Sequence, residues 1–90
     1  MVTVEFTSAL KRFFPTLQKE ELEADTILTL IDKVDALYPG IKRYILTEKD
    51  VVREHVKVYV DEEPAPASNP LLQPLQNGQK VLIFQAISGG

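Results

Sequence analysis

Cysteine is absent from the chain. That excludes disulfides, a cysteine nucleophile and any thiolate metal site within it. A small domain without bridges also suits the cytoplasm better than an oxidising compartment. No apolar run approaches the ~18–20 residues of a membrane span. The opening Met1-Val2-Thr3-Val4-Glu5 has neither a basic stretch nor a long apolar one. A cytoplasmic protein with no membrane partner is expected. Basic residues never run beyond the pairs Lys11-Arg12 and Lys42-Arg43, and the net charge is −3. Nucleic acid is therefore not an expected partner, because phosphate neutralisation needs a concentrated basic stripe.

The usual catalytic constellations are missing as well. His55 is the only histidine, and one histidine cannot build a multi-histidine zinc site; it reads as a surface or strand-edge residue. Ser8, Ser68 and Ser88 lack the context of a nucleophile elbow. Glu20, Glu21, Glu23 and Asp25 form an acidic run best read as a solvated face, and Glu62-Glu63 likewise. Glycine occurs four times. Gly40 and Gly78 stand apart in turns, so no glycine-rich loop is available to cradle a phosphate. The chain is not expected to be a self-contained enzyme or to bind a cofactor of its own.

What remains is a pattern of short alternating and helical segments. Ninety residues suffice for one domain. Val2 to Phe6 alternates, with Val2, Val4 and Phe6 on one side, and predicts a half-buried strand. Ser8 to Thr16 reads as a connection containing Pro15. Leu17 to Ala24 predicts a second strand, with Leu22 and Ala24 inward and Glu21 and Glu23 on a charged edge. Ile27, Leu30, Ile31, Val34, Leu37, Tyr38 and Ile41 form one apolar stripe at helical spacing. Asp25 or Thr26 can cap its start, and Pro39-Gly40 ends it. Tyr44-Ile45-Leu46 suits a last turn under that helix. Val56 to Val60 alternates again. Asp61 to Pro70, with three prolines, reads as an irregular loop, after which Leu71, Leu72 and Leu75 tuck back onto the core. Asn77-Gly78 marks a turn. Val81 to Phe84 is continuously apolar, as a central strand covered on both faces or paired in parallel requires.

Hairpin, helix, strand, loop, strand is an α+β order. A single sheet crossed by one amphipathic helix buries the apolar face of each. With the last strand beside the first, this is the β-grasp arrangement, a mixed sheet of four to five strands with one main helix packed across it. Residues 1–84 form that domain, and 85–90 form a flexible tail.

Chemistry is sought in the tail. Two adjacent glycines arise at a given place in about 0.5% of average sequences, so Gly89-Gly90 is read as functional. Lacking Cβ, glycines let a backbone thread a narrow channel and approach a reacting group closely. From Ile87, four extended residues reach roughly 13–14 Å, enough for a folded body to dock while the terminal carboxylate enters a partner's site. That carboxylate is unreactive until ATP on a partner enzyme gives its oxygen a leaving group. Sulfur, or a thiol, could then attack the acyl-adenylate, and in a chain without cysteine the sulfur must come from elsewhere.

The residues Val2-Thr-Val-Glu-Phe6, Thr26-Ile27 with Leu30 and Ile31, and His55 to Asp61 resemble the MoaD/ThiS family of ubiquitin-like sulfur carriers. The most specific pieces are Leu75 to Phe84 and Ala86-Ile-Ser-Gly-Gly90. The likeness covers essentially the whole chain. It implies a ubiquitin-like fold and three partners: an adenylyltransferase of the ubiquitin-activating type that uses ATP, a sulfur donor, and a biosynthetic enzyme that accepts the sulfur. By motif position Gly90 carries the activated carboxylate, later a thiocarboxylate, and Gly89 accompanies it. Phe84 matches the aromatic position that contacts partners in the molybdopterin branch, and its strand equally suits a core role. Ala86, Ile87 and Ser88 match the tail by position and are candidate partner contacts. A proline-rich loop stands where relatives have a tight Asn-Gly-type turn. The length resembles molybdopterin- and cysteine-biosynthesis carriers more than the shorter thiamine carriers. Other readings are a modifier conjugated to proteins through Gly90 and a non-catalytic small subunit that inserts its tail into an enzyme.

Overall fold

A computed structural model describes residues 1–66 and 68–85. Strand β1 (Val2–Phe6) is followed by a short helix α1 (Ser8–Lys11), strand β2 (Glu20–Leu22), the main helix α2 (Ile27–Leu37) and a short helix α3 (Ile41–Ile45). Strand β3 (Val56–Val60), the two-residue β4 (Glu63–Pro64), a 3-10 turn at Pro70–Leu72 and β5 (Lys80–Gln85) complete it. The strands lie in the order β2-β1-β5-β3-β4. β5 runs parallel to β1 and antiparallel to β3, so it is the central strand, as its apolar run predicts. This is the expected β-grasp arrangement. Among the described residues, no helix is long and apolar enough to cross a membrane.

Alternation decides which face of the sheet meets the helix. Val2 and Val4 of β1, Val56, Val58 and Val60 of β3, and Val81 and Ile83 of β5 are buried together with Ile27, Leu30, Ile31 and Val34 of α2. The intervening residues Glu5, Lys57, Tyr59, Leu82 and Phe84 occupy the opposite, uncovered face. Of the two arrangements expected for the last strand, covered on both faces or paired in parallel, the structure has parallel pairing, with one face open. Both edges resist further pairing: β2 carries exposed Glu21, and β4 carries Pro64, which has no N–H to offer.

Thr26 caps α2, its hydroxyl accepting from the Thr29 N–H at 3.2 Å. The apolar stripe is split at the expected stop. Gly40 takes φ +100°, open to a residue without Cβ, and Ile41 belongs to α3. The Asp35 carboxylate holds this corner by accepting from the Gly40 and Lys42 N–H groups at 3.1 and 3.0 Å. Leu37, the final residue of α2, departs from the stripe and is half exposed.

Several segments differ from the sequence reading. β2 is three residues long, and Leu17 is buried in the connection before it. The Ser8–Thr16 connection contains α1, whose Leu10 is fully buried. Leu75 is buried and Leu71 packs against the core, whereas Leu72 is 64% exposed. At the Asn77-Gly78 turn only Gly78 has positive φ.

The proline-rich stretch also begins with a tight turn rather than replacing one. Val60 pairs with Glu63 across Asp61 and Glu62, both at positive φ (50° and 70°), as a type I′ hairpin turn requires. Asp61 is held there by its carboxylate, which accepts from the Lys80 N–H at 2.9 Å and Gln79 Nε2 at 3.1 Å. Exposed Glu62 has no such hold among the described residues. Glu62→Gly should therefore raise stability by about 0.5–1 kcal/mol, the left-handed penalty of a Cβ residue less the extra chain entropy of glycine. Asp61→Gly should lower it despite the same backbone relief. Urea unfolding of the two variants checks the opposite signs.

The end of α2 is tied to the edge strand by Tyr38, whose buried ring sends its hydroxyl to Glu20 Oε2 at 2.6 Å. Burial first, and then that hydrogen bond, raise the phenol above its ordinary 10.0. A raised folded-state value means that the stabilisation is complete below pH 10 and is lost as pH climbs through the folded-state value. Lys42, raised through its hydrogen bond to Asp32, acts in the same direction above its ordinary 10.5. Tyr38→Phe should cost about 1 kcal/mol at neutral pH. In denaturation measured from pH 9 to 11, the variant should lose less stability than the parent.

Candidate functional site

The place where the chain leaves the sheet is set by β5. Its last residue, Gln85, pairs with Val56 of β3, and its N–H donates to Thr7 Oγ1 at 3.1 Å. The Thr7 N–H in turn donates to the Ile83 carbonyl at 3.3 Å. β5 is therefore held from both sides up to its final residue, in the middle of the sheet rather than at an edge. A terminal segment tied down in this way has a defined exit point and direction. Ala86, Ile87, Ser88, Gly89 and Gly90 follow that exit and lie outside the described residues.

Phe84, one residue before the exit, is 39% exposed on the open face of the sheet and pairs in register with exposed Lys57. Of the two roles open to it from the sequence, the core role is not the one its side chain occupies. Leu82 and Tyr59, paired with each other one step down the sheet, are half-buried and continue the same face. An aromatic and an aliphatic side chain thus lie beside the cation of Lys57 on the open face next to the chain exit.

A second feature at the exit was not legible in the sequence. On its other side lies a groove of about 460 Å³ lined by Phe13, Arg43, Tyr44, Arg53, His55 and Gln85. Phe13 is 56% exposed, with its ring centroid 4.9 Å from that of Tyr44, which Phe14 meets edge-on at 5.2 Å. Arg43 Nη1 donates to the Thr47 carbonyl at 2.6 Å and meets Asp50 Oδ1 at 3.1 Å. Arg53 Nε donates to the Arg43 carbonyl at 2.8 Å, which brings the two guanidinium side chains to one wall. His55 is half-buried one residue before β3, at the strand edge as expected. The only sequence signal was the presence of an arginine on each side of the 47–52 turn, which does not say that α1's exit and β5 meet them.

A mixed sheet with a parallel central pair, crossed by one helix and releasing the chain from its central strand, defines a ubiquitin-like β-grasp protein. The ThiS family model matches residues 4–90, Gly89-Gly90 included, and the chain belongs to that family, the ubiquitin-like sulfur carriers. Such proteins are carriers rather than enzymes and bind no cofactor themselves. Among solved structures, a chain of the Amycolatopsis orientalis BexX/CysO complex is 28% identical, with a TM-score of 0.85 over 100% of both chains. CysO of Mycobacterium tuberculosis is 24% identical, with a TM-score of 0.83 over 97% of this chain and 100% of the other. SAMP1 of Haloferax volcanii, at 16% identity, gives 0.77 over 99% and 98%, a likeness of fold alone. No curated protein matches the chain significantly by sequence.

Proposed function

We propose that the carboxylate of Gly90 is the working group of this sulfur carrier. A ubiquitin-activating-type adenylyltransferase uses ATP to adenylate it, with release of pyrophosphate. A sulfide-level donor then displaces AMP and leaves a thiocarboxylate, whose sulfur passes to a biosynthetic enzyme. Gly89 lets the backbone reach the reacting phosphorus without a side chain in the way. Ala86, Ile87 and Ser88 line the partner's channel, and Phe84 seats the body at its mouth. The observation that carries this reading is the pinned exit: β5 is fastened to Thr7 and Val56 up to Gln85. A partner therefore meets a rigid body and has to order only the short segment beyond it. Ordering costs about 1–2 kcal/mol per residue, and contacts on the open face offset it.

Among the acceptor pathways, similarity to a chain of the BexX/CysO complex favours a carrier of the CysO type over a molybdopterin carrier. The test is intact-mass analysis after incubation with the activating enzyme of the same organism, ATP and sulfide. The expected product gains the mass of one oxygen-to-sulfur exchange. An unchanged mass alongside an enzyme that forms adenylate on another carrier would reject the reading. Isopeptide adducts on lysines, lost with Gly89-Gly90, would instead support the modifier reading.

A further inference from the structure

The groove on the helix side of the exit differs from the rest of this acidic chain. Its lining includes Arg43, Arg53 and His55 and no carboxylate, although the molecule as a whole carries −3. Arg43 is partly compensated by Asp50. Arg53 spends only its Nε internally, on a backbone carbonyl, and its two terminal nitrogens have no hydrogen-bond partner among the described residues. Glu54, between Arg53 and His55 in the chain, lines a neighbouring groove that Arg53 also borders, together with Lys57 and Tyr59. The floor is aromatic, with exposed Phe13 held against Tyr44 instead of packing inward. At the inner end the Gln85 side-chain oxygen is buried without a hydrogen-bond partner among the described residues. Leaving such an acceptor unpaired costs free energy that a donor from a docked chain would recover.

Bidentate guanidinium nitrogens, aromatic faces and a waiting acceptor are complementary to a peptide segment that carries a carboxylate and a free backbone N–H. A lone phosphate fits less well, since it would leave both rings and the Gln85 acceptor unused. We infer that this groove receives an Asp- or Glu-bearing segment of the activating enzyme, docked beside the tail on the face opposite Phe84. The inference rests on the proposed function and adds to it. The partner grips the exit from both faces of the sheet, with apolar contacts on the Phe84 side and charge-assisted hydrogen bonds on the Arg53 side. Together they fix the direction in which the tail enters. Charge pairing of this kind acts strongly on encounter rate and on salt dependence.

The experiment is steady-state adenylation by the activating enzyme of the same organism, followed as pyrophosphate release over a range of carrier concentrations and from low to high salt. Arg53→Glu should raise KM roughly tenfold or more at low salt and leave kcat unchanged, because the reacting groups are untouched. Arg53→Lys should recover only part of the loss, since an ammonium cannot form the bidentate pair. Phe13→Ala should raise KM with little change in salt dependence. Lys33→Glu, a charge reversal on the solvent side of α2, serves as the control for net charge and should leave KM unchanged. Circular dichroism and unfolding midpoints matching the parent keep misfolding out of the comparison. An Arg53→Glu KM equal to the parent's, or equal to that of Lys33→Glu, overturns the groove as a docking site while leaving the proposed function standing. A parent chain that is not adenylated at all, by an enzyme active on another carrier, overturns both.

Discussion

Deleting Gly89-Gly90 should reduce adenylation by at least ~10²-fold, the scale expected when a reacting group is displaced from its attack position, and leave the unfolding midpoint unchanged. The two halves of this expectation come from different parts of the molecule. Among the described residues, the last core member along the chain is Ile83, and the last backbone fastening is that of Gln85. Removing the last two residues leaves these described contacts in place. In the proposed function, activity depends on delivering a carboxylate at a fixed reach from the exit, and truncation presents the carboxylate of Ser88 two residues short. Gly90→Phe should fail nearly as badly, because the reach is kept but a ring now crowds the reacting carbon. A residue appended after Gly90 should fail too, since the original carboxylate becomes an amide. Single-turnover adenylate formation and intact mass would separate these cases. A truncated chain that is adenylated at the parent rate would mean that the glycines are not the delivery device.

Neighbouring residues on β5 should give opposite phenotypes. Ile83→Ala is expected to cost about 2–5 kcal/mol, the range for emptying a fully buried aliphatic position. Ile83 is inaccessible to solvent in the central strand, facing α2. Against the ~5–15 kcal/mol of a typical domain the loss is severe, and it should appear as a lowered urea midpoint. Phe84→Ala removes a larger side chain one position on and should change stability far less, because that ring already meets solvent. Its cost should appear in KM for the activating enzyme, about 1–2 kcal/mol if the ring is an anchor of the docking face. Equal losses of stability in the two variants would show that Phe84 packs as core.

The parts of the fold readable from the sequence are those in which periodicity carries the information. Val2, Val4 and Phe6, the Val56–Val60 alternation and the Ile27–Val34 stripe each state which side is buried, and the structure follows them. The short helices are another matter. α1 has four residues and α3 five, too few for a 3.6-residue period to show. The hairpin turn at Asp61-Glu62 escaped because side chains with Cβ stand where glycine or asparagine usually signals positive φ. It is held by a carboxylate bonded to Lys80 and Gln79, nearly twenty residues away, which no local pattern records. The same holds for the groove, whose residues come from four separate stretches of chain. The glycine pair was legible from composition and position, and it lies beyond the described residues.

β5 joins two halves that do not otherwise pair: the β1–β2 hairpin on one side and the β3–β4 hairpin on the other. It is also the last of the described strands to emerge during synthesis. Until it does, the ribosome holds two unconnected ribbons with an amphipathic helix between them, and sheet closure must wait for contacts spanning almost the whole polypeptide. The piece that completes the body is thus the piece that leads into the tail. A half-made or misfolded copy cannot offer its terminus from the correct place, so an activating enzyme that demands the body as well as the tail would avoid spending nucleotide on defective carriers.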